Sequence, residues 1–143
     1  MAEEVRDQSA ELLEEWDWVT ARPTGRAILR GVAHKNGIAH EGVHLWVLRF
    51  AGSEGEVLFQ KRARNKEMYP NCLDITVGGH VTFGISDGKI QKEAREEIGI
   101  ELNEQRLVDL GFFRYEERDE KIFHREFQRV YLYVDDRPLT EYR

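Results

Sequence analysis

The chain has 143 residues, with 21 lysines and arginines against 27 aspartates and glutamates, and a formal net charge of −6. Because a domain usually holds about 100–200 residues, we expect a single domain over residues 1–143, with 1–40 as an N-terminal extension and 41–143 as the core. The acidic balance disfavours nonspecific binding to nucleic acid polymers or to an anionic membrane surface.

Cysteine usage and hydropathy predict the compartment. The single cysteine, Cys72, cannot form an internal disulfide, which favours a reducing compartment, and we expect it to be a small buried residue. The N-terminus lacks the apolar run of a secretory signal, and no apolar stretch approaches the ~20 residues that span a bilayer. The sequence therefore predicts a cytoplasmic protein without a membrane segment.

The N-terminal extension is predicted to contain a short helix and a hairpin. Leu12, Leu13 and Trp16 are apolar at helical spacing within an acidic segment, which predicts a short amphipathic helix. Residues 17–32 are punctuated by proline and glycine and predict irregular or hairpin-like chain.

The middle of the chain has a strand pattern. Residues 43–50 and 56–62 are apolar or alternating runs separated by a Gly-Ser-Glu-Gly turn, which predicts a β-hairpin. Residues 63–71 are expected to form a basic and polar loop. The β-rich run 73–77 predicts a third strand, which stops at Gly78-Gly79.

Residues 86–98 form the clearest helical pattern. Ser86 or Asp87 is a suitable N-cap, and Gly99 is expected to end the helix in the left-handed conformation. Further strands are predicted over 107–114 and 123–134, joined by a charged loop over 116–121. A mostly antiparallel or mixed sheet with one central helix is an α+β arrangement.

The predicted helix carries a carboxylate cluster. Its apolar residues form a narrow stripe: Ile90, Ala94 and Ile98. Three carboxylates fall in one arc of about 100° beside this stripe: Glu93, Glu96 and Glu97. They repel one another unless a hard divalent cation, such as Mg²⁺ or Mn²⁺, lies among their oxygens. The alternative is a solvated acidic face neutralised by basic residues of the same helix: Lys89, Lys92 and Arg95.

These residues carry a family resemblance. Gly79 and the segment Lys92-Glu-Ala-Arg-Glu-Glu-Ile-Gly-Ile100 resemble the Nudix box, whose pattern is G-x5-E-x7-R-E-U-x-E-E-x-G-U with U aliphatic. Ala94 stands at the first aliphatic position, and five residues match in register: Glu93, Glu96, Glu97, Gly99 and Ile100. Residues 70–81, Thr24-Gly-Arg26, His34 and His40 are similar to the Nudix branch that includes isopentenyl-diphosphate isomerase and its hydrolase relatives.

The resemblance implies a fold, a cofactor and a reaction. The fold would be a Nudix-like α/β/α sandwich around a mixed β-sheet, without the C-terminal helix that usually follows the last strands; a sheet face left exposed in this way would favour a homodimer. The reaction would be Mg²⁺- or Mn²⁺-dependent hydrolysis of a diphosphate bond in a nucleoside diphosphate-linked or other organic diphosphate.

The resemblance also implies site residues. The catalytic residues would be Glu97, Glu96, Glu93 and Lys92. The metal would be held by the same three glutamates and by the backbone at Gly79. The substrate would be bound by Arg62, Arg64, Gly78, His80 and Glu126. The general base stays open between Glu97 and the acidic run 116–120.

Three departures from the box leave a non-catalytic alternative open. Ile85 stands at the place of the first glutamate, Lys92 replaces the arginine, and six residues instead of seven separate the two. Lysine keeps the charge but lacks the bidentate fork that orients a carboxylate. The alternative is a domain that binds a nucleotide or diphosphate without hydrolysing it.

Isomerase activity is a third hypothesis for the function. Its chemistry uses a cysteine and a glutamate around a metal site of histidines and carboxylates; Glu126 aligns with a functional glutamate, but Gly78 stands at the cysteine position. The missing thiol disfavours isomerase activity. Lone histidines are usually structural, although His34, His40 and His80 together leave a second metal site open. The three tryptophans are expected to pack in the core rather than stack on a substrate: Trp16, Trp18 and Trp46.

Overall fold

The computed structural model describes residues 10–65, 69–85 and 88–143. The elements of the described chain follow in order: β1 (Leu12–Asp17), β2 (Arg22–Leu29), α1 (Arg30–Asn36), β3 (His40–Ala51), β4 (Glu54–Leu58), β5 (Gln60–Lys61), β6 (Leu73–Asp74), β7 (Val77–His80), α2 (Lys89–Ile98), β8 (Val108–Arg118) and β9 (Phe123–Val134). Two short 3₁₀ helices span Glu104–Arg106 and Leu139–Glu141. The predicted α+β class is confirmed.

The predicted N-terminal helix is wrong, because this segment is strand β1. It pairs antiparallel with β2, so the hairpin of this region joins residues 12–17 to 22–29 rather than lying within the predicted 17–32, and Leu13 lies opposite Ile28. Leu13 is fully buried whereas Leu12 is 45% exposed, so the two faces alternate as in a strand. The helix described in this region is α1, which begins inside the segment 17–32 that was predicted to be irregular or hairpin-like. Gly37 ends it in the left-handed conformation, with φ 66°.

The predicted hairpin of the middle segment is confirmed as β3 and β4, paired antiparallel from Val47↔Leu58 to Ala51↔Glu54. The predicted strand over 56–62 is interrupted at Phe59, and its second part is β5, which pairs with β6. The predicted strand over 73–77 is divided in the same way between β6 and β7.

Thr76, between β6 and β7, is fully buried. Its hydroxyl donates to the Leu58 carbonyl and accepts from the Val47 amide at 3.0 Å. One side chain therefore satisfies backbone groups of both strands of the β3–β4 hairpin.

Replacing this hydroxyl by a methyl group is expected to destabilise the protein. Thr76→Val keeps the shape but leaves the buried Val47 amide without an acceptor, which costs about 1–3 kcal/mol. Urea unfolding followed by circular dichroism would measure the free energy. Thr24→Val is the matched control, because the Thr24 hydroxyl is exposed and bonds the Glu15 carbonyl at 3.2 Å. Equal losses in the two variants would contradict this role.

The larger sheet has the strand order β4-β3-β9-β8, and β7 also pairs with β3. The prediction for β9 is confirmed at both ends. β8 continues to Arg118 and so includes the start of the predicted charged loop, whose remainder is held by the Asp119 carboxylate accepting from the Lys121 and Ile122 amides. β8 lies at one end of this order and exposes about half of each of three apolar side chains: Val108, Leu110 and Phe112.

Helix α2 confirms the predicted helix in its described part, while Ser86 and Asp87 lie outside the described residues. Gly88 precedes the helix with φ 70°, and among the described residues no side chain caps the first turn, which contains no acidic residue. Gly99 ends it with φ 71°, as predicted. The predicted apolar stripe is buried, and the Ile98 carbonyl accepts from the Arg143 amide at 2.9 Å.

The chain divides into two compact units. Unit 1 contains Met1–Gly42, His80–Ile85 and Phe113–Gln128, and unit 2 contains Val43–Gly79, Ser86–Phe112 and Arg129–Arg143. In unit 1, a buried cluster joins β1, β2 and α1 through Leu13, Ile28 and Ala33. In unit 2, the buried apolar residues include Leu45, Val47, Val77, Ile90 and Tyr133. The single-domain organisation stays a prediction.

The structure also bears on the expected packing of the tryptophans and the expected burial of Cys72. Trp16 and Trp18 are half-buried and pack on the ring of Phe127 at 5.2 and 5.3 Å between centroids, which agrees with packing. The expectation that Cys72 is buried is wrong: it is exposed in a turn after Asn71, whose φ is 61°. No described helix is both long enough and apolar enough to cross a bilayer.

Candidate functional site

Helix α2 presents its three candidate carboxylates to different surroundings. Only 14% of the Glu93 side chain is exposed, and its Oε1 accepts from Nζ of the buried Lys89 at 2.8 Å. Glu96 is 57% exposed and lies 3.9 Å from Nζ of Lys92, which is itself half exposed. The lysines that would neutralise a solvated acidic face are thus present. Lys89, however, pairs with Oε1 of Glu93 and not with Oε2.

Gly79 of β7 lies directly against Glu93. A Cβ added at Gly79 would be 2.8 Å from Cδ and 3.0 Å from Oε2 of Glu93, closer than real Cβ contacts allow. Glycine at this position therefore lets the backbone of β7 approach the carboxylate. Gly79 and the glutamate helix thus lie side by side in unit 2, and their predicted metal binding stays a prediction.

Glu97 lies beside strand β5. When the Gln60 side-chain amide is oriented so that both its oxygen and its nitrogen have suitable partners, the nitrogen donates to Glu97 Oε1 and to the Thr76 carbonyl, each at 3.2 Å. This contact brings the start of the basic segment 61–64 to the glutamate helix. Arg62 follows two residues later and pairs with Asp74 at 2.9 Å.

The remaining predicted residues of unit 2 differ in exposure. Arg64 is exposed. Gly78 packs closely, since a Cβ there would be 2.8 Å from Cδ1 of Ile75. Ile85, at the place of the first glutamate of the box, belongs to unit 1 and is 36% exposed.

The donors at this site fit a hard divalent cation. Glu93 and Glu97 are one helical turn apart and half-buried, and Gly79 admits backbone beside Glu93. Carboxylate and carbonyl oxygens are the donors that Mg²⁺ and Mn²⁺ accept. Glu96 is directed more towards solvent. In the described chain, the sets of three donor atoms that lie within 4.8 Å of one another belong to a different cluster, and not to these glutamates.

That cluster, called here the histidine cluster, lies in unit 1. Its members are His34 of α1, His40 of β3, His80 of β7, and His124 and Glu126 of β9. The ring centroids of the four histidines lie 4.9–6.0 Å apart. Donor atoms of His34, His40 and His124 lie within 4.8 Å of one another, and so do those of His40, His80 and Glu126.

One carboxylate faces the histidines. Oε2 of Glu126 is 2.8 Å from Nε2 of His124, 3.5 Å from Nδ1 of His80 and 3.8 Å from Nε2 of His40. Gly42 makes room for it, because a Cβ there would be 2.0 Å from Oε1 of Glu126.

Burial lowers the pKa of three of these rings: His34, His40 and His80. Desolvation lowers the pKa of His34 to about 3, assisted by the nearby His40 and His124. Desolvation also lowers the pKa of His40 and, more strongly, that of His80, while the Glu126 carboxylate opposes the change in both. Neutral imidazole is the form that binds metals.

The sequence reading placed His80 and Glu126 with the substrate, and the structure places them among the histidines of unit 1. His124 was missed, as were Gln60 and Gly42. A signal for His124 was available, because residues 124 and 126 lie two apart in a strand and therefore share a face.

The chain is similar to known proteins in both sequence and fold. No family profile matches the chain. An uncharacterised Nudix hydrolase of Clostridium acetobutylicum is 31% identical over 113 residues, covering 79% of this chain and 55% of the relative. Nudix hydrolase 3 of Arabidopsis thaliana is 33% identical over 112 residues, covering 76% of this chain and 14% of the relative. The chain therefore spans about half, or much less, of the length of these relatives.

Solved structures share the fold. The DR0079 protein of Deinococcus radiodurans matches with a TM-score of 0.67 and 24% identity, covering 90% of this chain and 74% of its own. The NUDIX domain of Shewanella oneidensis NrtR matches with a TM-score of 0.53 and 11% identity over 68% of this chain and 61% of its own. The α+β fold is thus Nudix-like, and the chain is similar in sequence to curated Nudix hydrolases over part of their length.

Proposed function

We propose that the chain hydrolyses a diphosphate bond in a nucleoside diphosphate-linked or other organic diphosphate, with Mg²⁺ or Mn²⁺. The observation that carries the proposal is the packing of Gly79 against Glu93 beside a half-buried Glu97. The names of the sequence relatives support the same class of reaction. The substrate and the metal ion are part of the proposal.

In this proposal, residues of unit 2 bind the metal ion and accept the proton. Glu93, Glu97 and the Gly79 backbone would hold the ion, with Glu96 completing the set from the exposed side and Lys92 balancing its charge. The ion supplies charge neutralisation of the phosphate oxygens. Glu97 would accept a proton from the attacking water, whose oxygen bonds to phosphorus while the bridging P–O bond breaks and the leaving phosphate takes the electron pair.

Basic residues near the helix would bind the substrate. The Gln60–Glu97 contact brings the segment containing Arg62 and Arg64 to the carboxylates, and arginine binds phosphate oxygens in a bidentate manner. The tight backbone at Gly78 would lie beside them. We propose that these groups hold the diphosphate while the remainder of the substrate extends away from the helix.

Release of phosphate or nucleoside monophosphate from a substrate panel tests the proposal. The panel includes ADP-ribose, which the NUDIX domain of NrtR binds, together with other nucleoside diphosphate derivatives and an isoprenoid diphosphate. We expect turnover of at least one compound that depends on Mg²⁺ or Mn²⁺ and stops with chelator. Metal-dependent binding by calorimetry without product would instead establish a diphosphate-binding module.

That module is the second candidate function. The exposed Ile85 and the half-exposed Lys92 stand where the box has charged residues with fixed roles, which favours weak or absent turnover. The isomerase reading has support from the histidine cluster, but Gly78 offers no thiol, and the exposed Cys72 lies in the turn before β6. We further propose a cytoplasmic homodimer that covers the apolar side chains of β8.

A further inference from the structure

The side chain of Gln60 connects the glutamate helix to a buried turn of unit 2. Gln60 is half-buried in β5, and its backbone is paired with that of Asp74 in β6. A glutamine side chain carries two N–H donors on one nitrogen. One of them donates to Glu97 Oε1 and the other to the Thr76 carbonyl, each at 3.2 Å. Because these bonds use both donors, the direction of the amide group is fixed.

Thr76 holds one end of this connection in place. The residue is fully buried, and its hydroxyl bonds both strands of the β3–β4 hairpin, through the Val47 amide and the Leu58 carbonyl. Its own carbonyl, which accepts from Gln60, is therefore fixed relative to these strands. The Glu97 carboxylate is in this way held by the sheet backbone as well as by its own helix.

The same turn also positions a basic residue. Oδ1 of Asp74 accepts from the Ile75 amide at 2.8 Å, and its Oδ2 accepts from Nη1 of Arg62 at 2.9 Å. One short piece of backbone thus holds Arg62, which would bind the substrate, and Gln60, which contacts Glu97. The positions of the two groups are therefore set together.

We propose that Gln60 is a positioning residue, which holds the Glu97 carboxylate in the direction that hydrolysis requires. This inference rests on the proposed function, in which Glu97 binds the ion and accepts a proton. A carboxylate that rotates is only part of the time in the reactive direction, and misplacement of a reacting group by about 1 Å can lower a rate ~100-fold. The bond from Gln60 opposes that rotation at Oε1 and assigns the reaction to Oε2.

The neutrality of Gln60 suits this role. A lysine or arginine in β5 would also donate to the carboxylate, but its charge would compete with a divalent cation for the same oxygens. An amide donor orients the carboxylate without neutralising it, as outer partners of metal ligands commonly do. Glu93 is held differently, by a salt bridge from Lys89 at 2.8 Å.

Removal of the amide tests the proposal. Gln60→Met keeps the length of the side chain but has no donor. We expect kcat for diphosphate hydrolysis at saturating Mn²⁺ to fall at least ~10-fold, and Mn²⁺ to bind at least ~10-fold more weakly, as for other partners of metal ligands. KM for the diphosphate should stay within about threefold, because the lost interaction is not one with the substrate. A merely structural role would not separate kcat from KM in this way.

Gln91→Met is the matched control. Gln91 lies on the same helix as Glu97, and its amide donates to Glu104 Oε1 at 3.2 Å, which is the same type of bond to a carboxylate outside the proposed site. We expect this variant to keep the kcat and the Mn²⁺ affinity of the unmodified chain. Equal kcat and equal Mn²⁺ affinity in the Gln60 and Gln91 variants would overturn the proposal.

A measurement on the unmodified chain covers the case in which Gln60→Met does not fold. The side-chain amide of Gln60 gives its own pair of nitrogen–proton NMR signals. Binding of Mg²⁺ at the glutamates should shift this pair and leave the pair of Gln91 in place. If the Gln60 signals stay in place while Mg²⁺ binds, the proposal is overturned.

Failure of the proposed function is seen separately. If the unmodified chain binds Mn²⁺ but hydrolyses no diphosphate, the hydrolytic function is refuted alone, and the comparison of Mn²⁺ affinities between the Gln60 and Gln91 variants decides the positioning role. If the chain binds no divalent ion at all, both proposals are refuted.

Discussion

Replacement of Glu97 by glutamine is expected to lower kcat for diphosphate hydrolysis at least ~100-fold, the range typical of losing a general base. Glutamine matches the shape of glutamate but neither accepts the proton of the attacking water nor carries the charge that holds a divalent ion. Gln60 approaches Oε1 at 3.2 Å, and a glutamine oxygen can still accept that hydrogen bond. The fold should therefore survive.

Initial rates at saturating Mn²⁺ would measure this effect, with circular dichroism to verify folding. Glu101→Gln is the matched control, because Glu101 is 73% exposed and pairs only across the surface with Arg95 at 3.2 Å. A Glu97 variant that keeps the rate of the control would remove this residue from the reaction. If the unmodified chain shows no turnover, weaker Mn²⁺ binding by the variant still tests its role as a ligand.

Replacement of Phe127 by alanine is expected to cost about 3–5 kcal/mol of unfolding free energy, as for other buried aromatic residues. Its ring is 2% exposed, lies 5.2 Å from the ring of Trp16 and 5.3 Å from that of Trp18, and faces the Arg114 guanidinium at 5.4 Å. Truncation leaves a cavity where these groups of unit 1 meet.

Thermal and urea unfolding would measure this loss. Phe113→Ala is the matched control, since 53% of Phe113 is exposed and truncation there should cost no more than about 0.5 kcal/mol. A Phe127 variant as stable as the Phe113 variant would show that the aromatic packing of unit 1 contributes little.

The elements that the sequence predicted well are those with a strong local period. Helix α2 has a complete apolar stripe and a glycine at its end, and strand β9 is long and ends in the β-branched and aromatic run 130–134, so both were identified without reference to the rest of the chain. β1 was misread because the offsets of Leu12, Leu13 and Trp16 match a helix, whereas in the strand a register shift between Glu14 and Trp16 interrupts the two-residue alternation. Its pairing with β2 makes this segment a strand, and the sequence of β1 alone does not reveal that pairing.

The same distinction applies to the candidate sites. The glutamates and Gly79 are close in sequence and match a continuous pattern, so their association could be predicted. The histidine cluster is built by strand pairing and by α1, and the one local signal for His124 was its position two residues before Glu126 in a predicted strand. The roles of Gln60 and Gly42 depend on contacts across the fold, which neither composition nor spacing reveals.

The position of the acidic residues along helix α2 has a thermodynamic consequence. Glu96 and Glu97 stand in its last turn, near the negative end of the helix dipole, while the first turn, near the positive end, contains no acidic residue. The helix is thus electrostatically frustrated, and much of its local stability must come from the burial of its apolar stripe. Counter-ions that gather at this end would relieve the frustration, so helix formation and cation occupancy should be linked equilibria, each favouring the other.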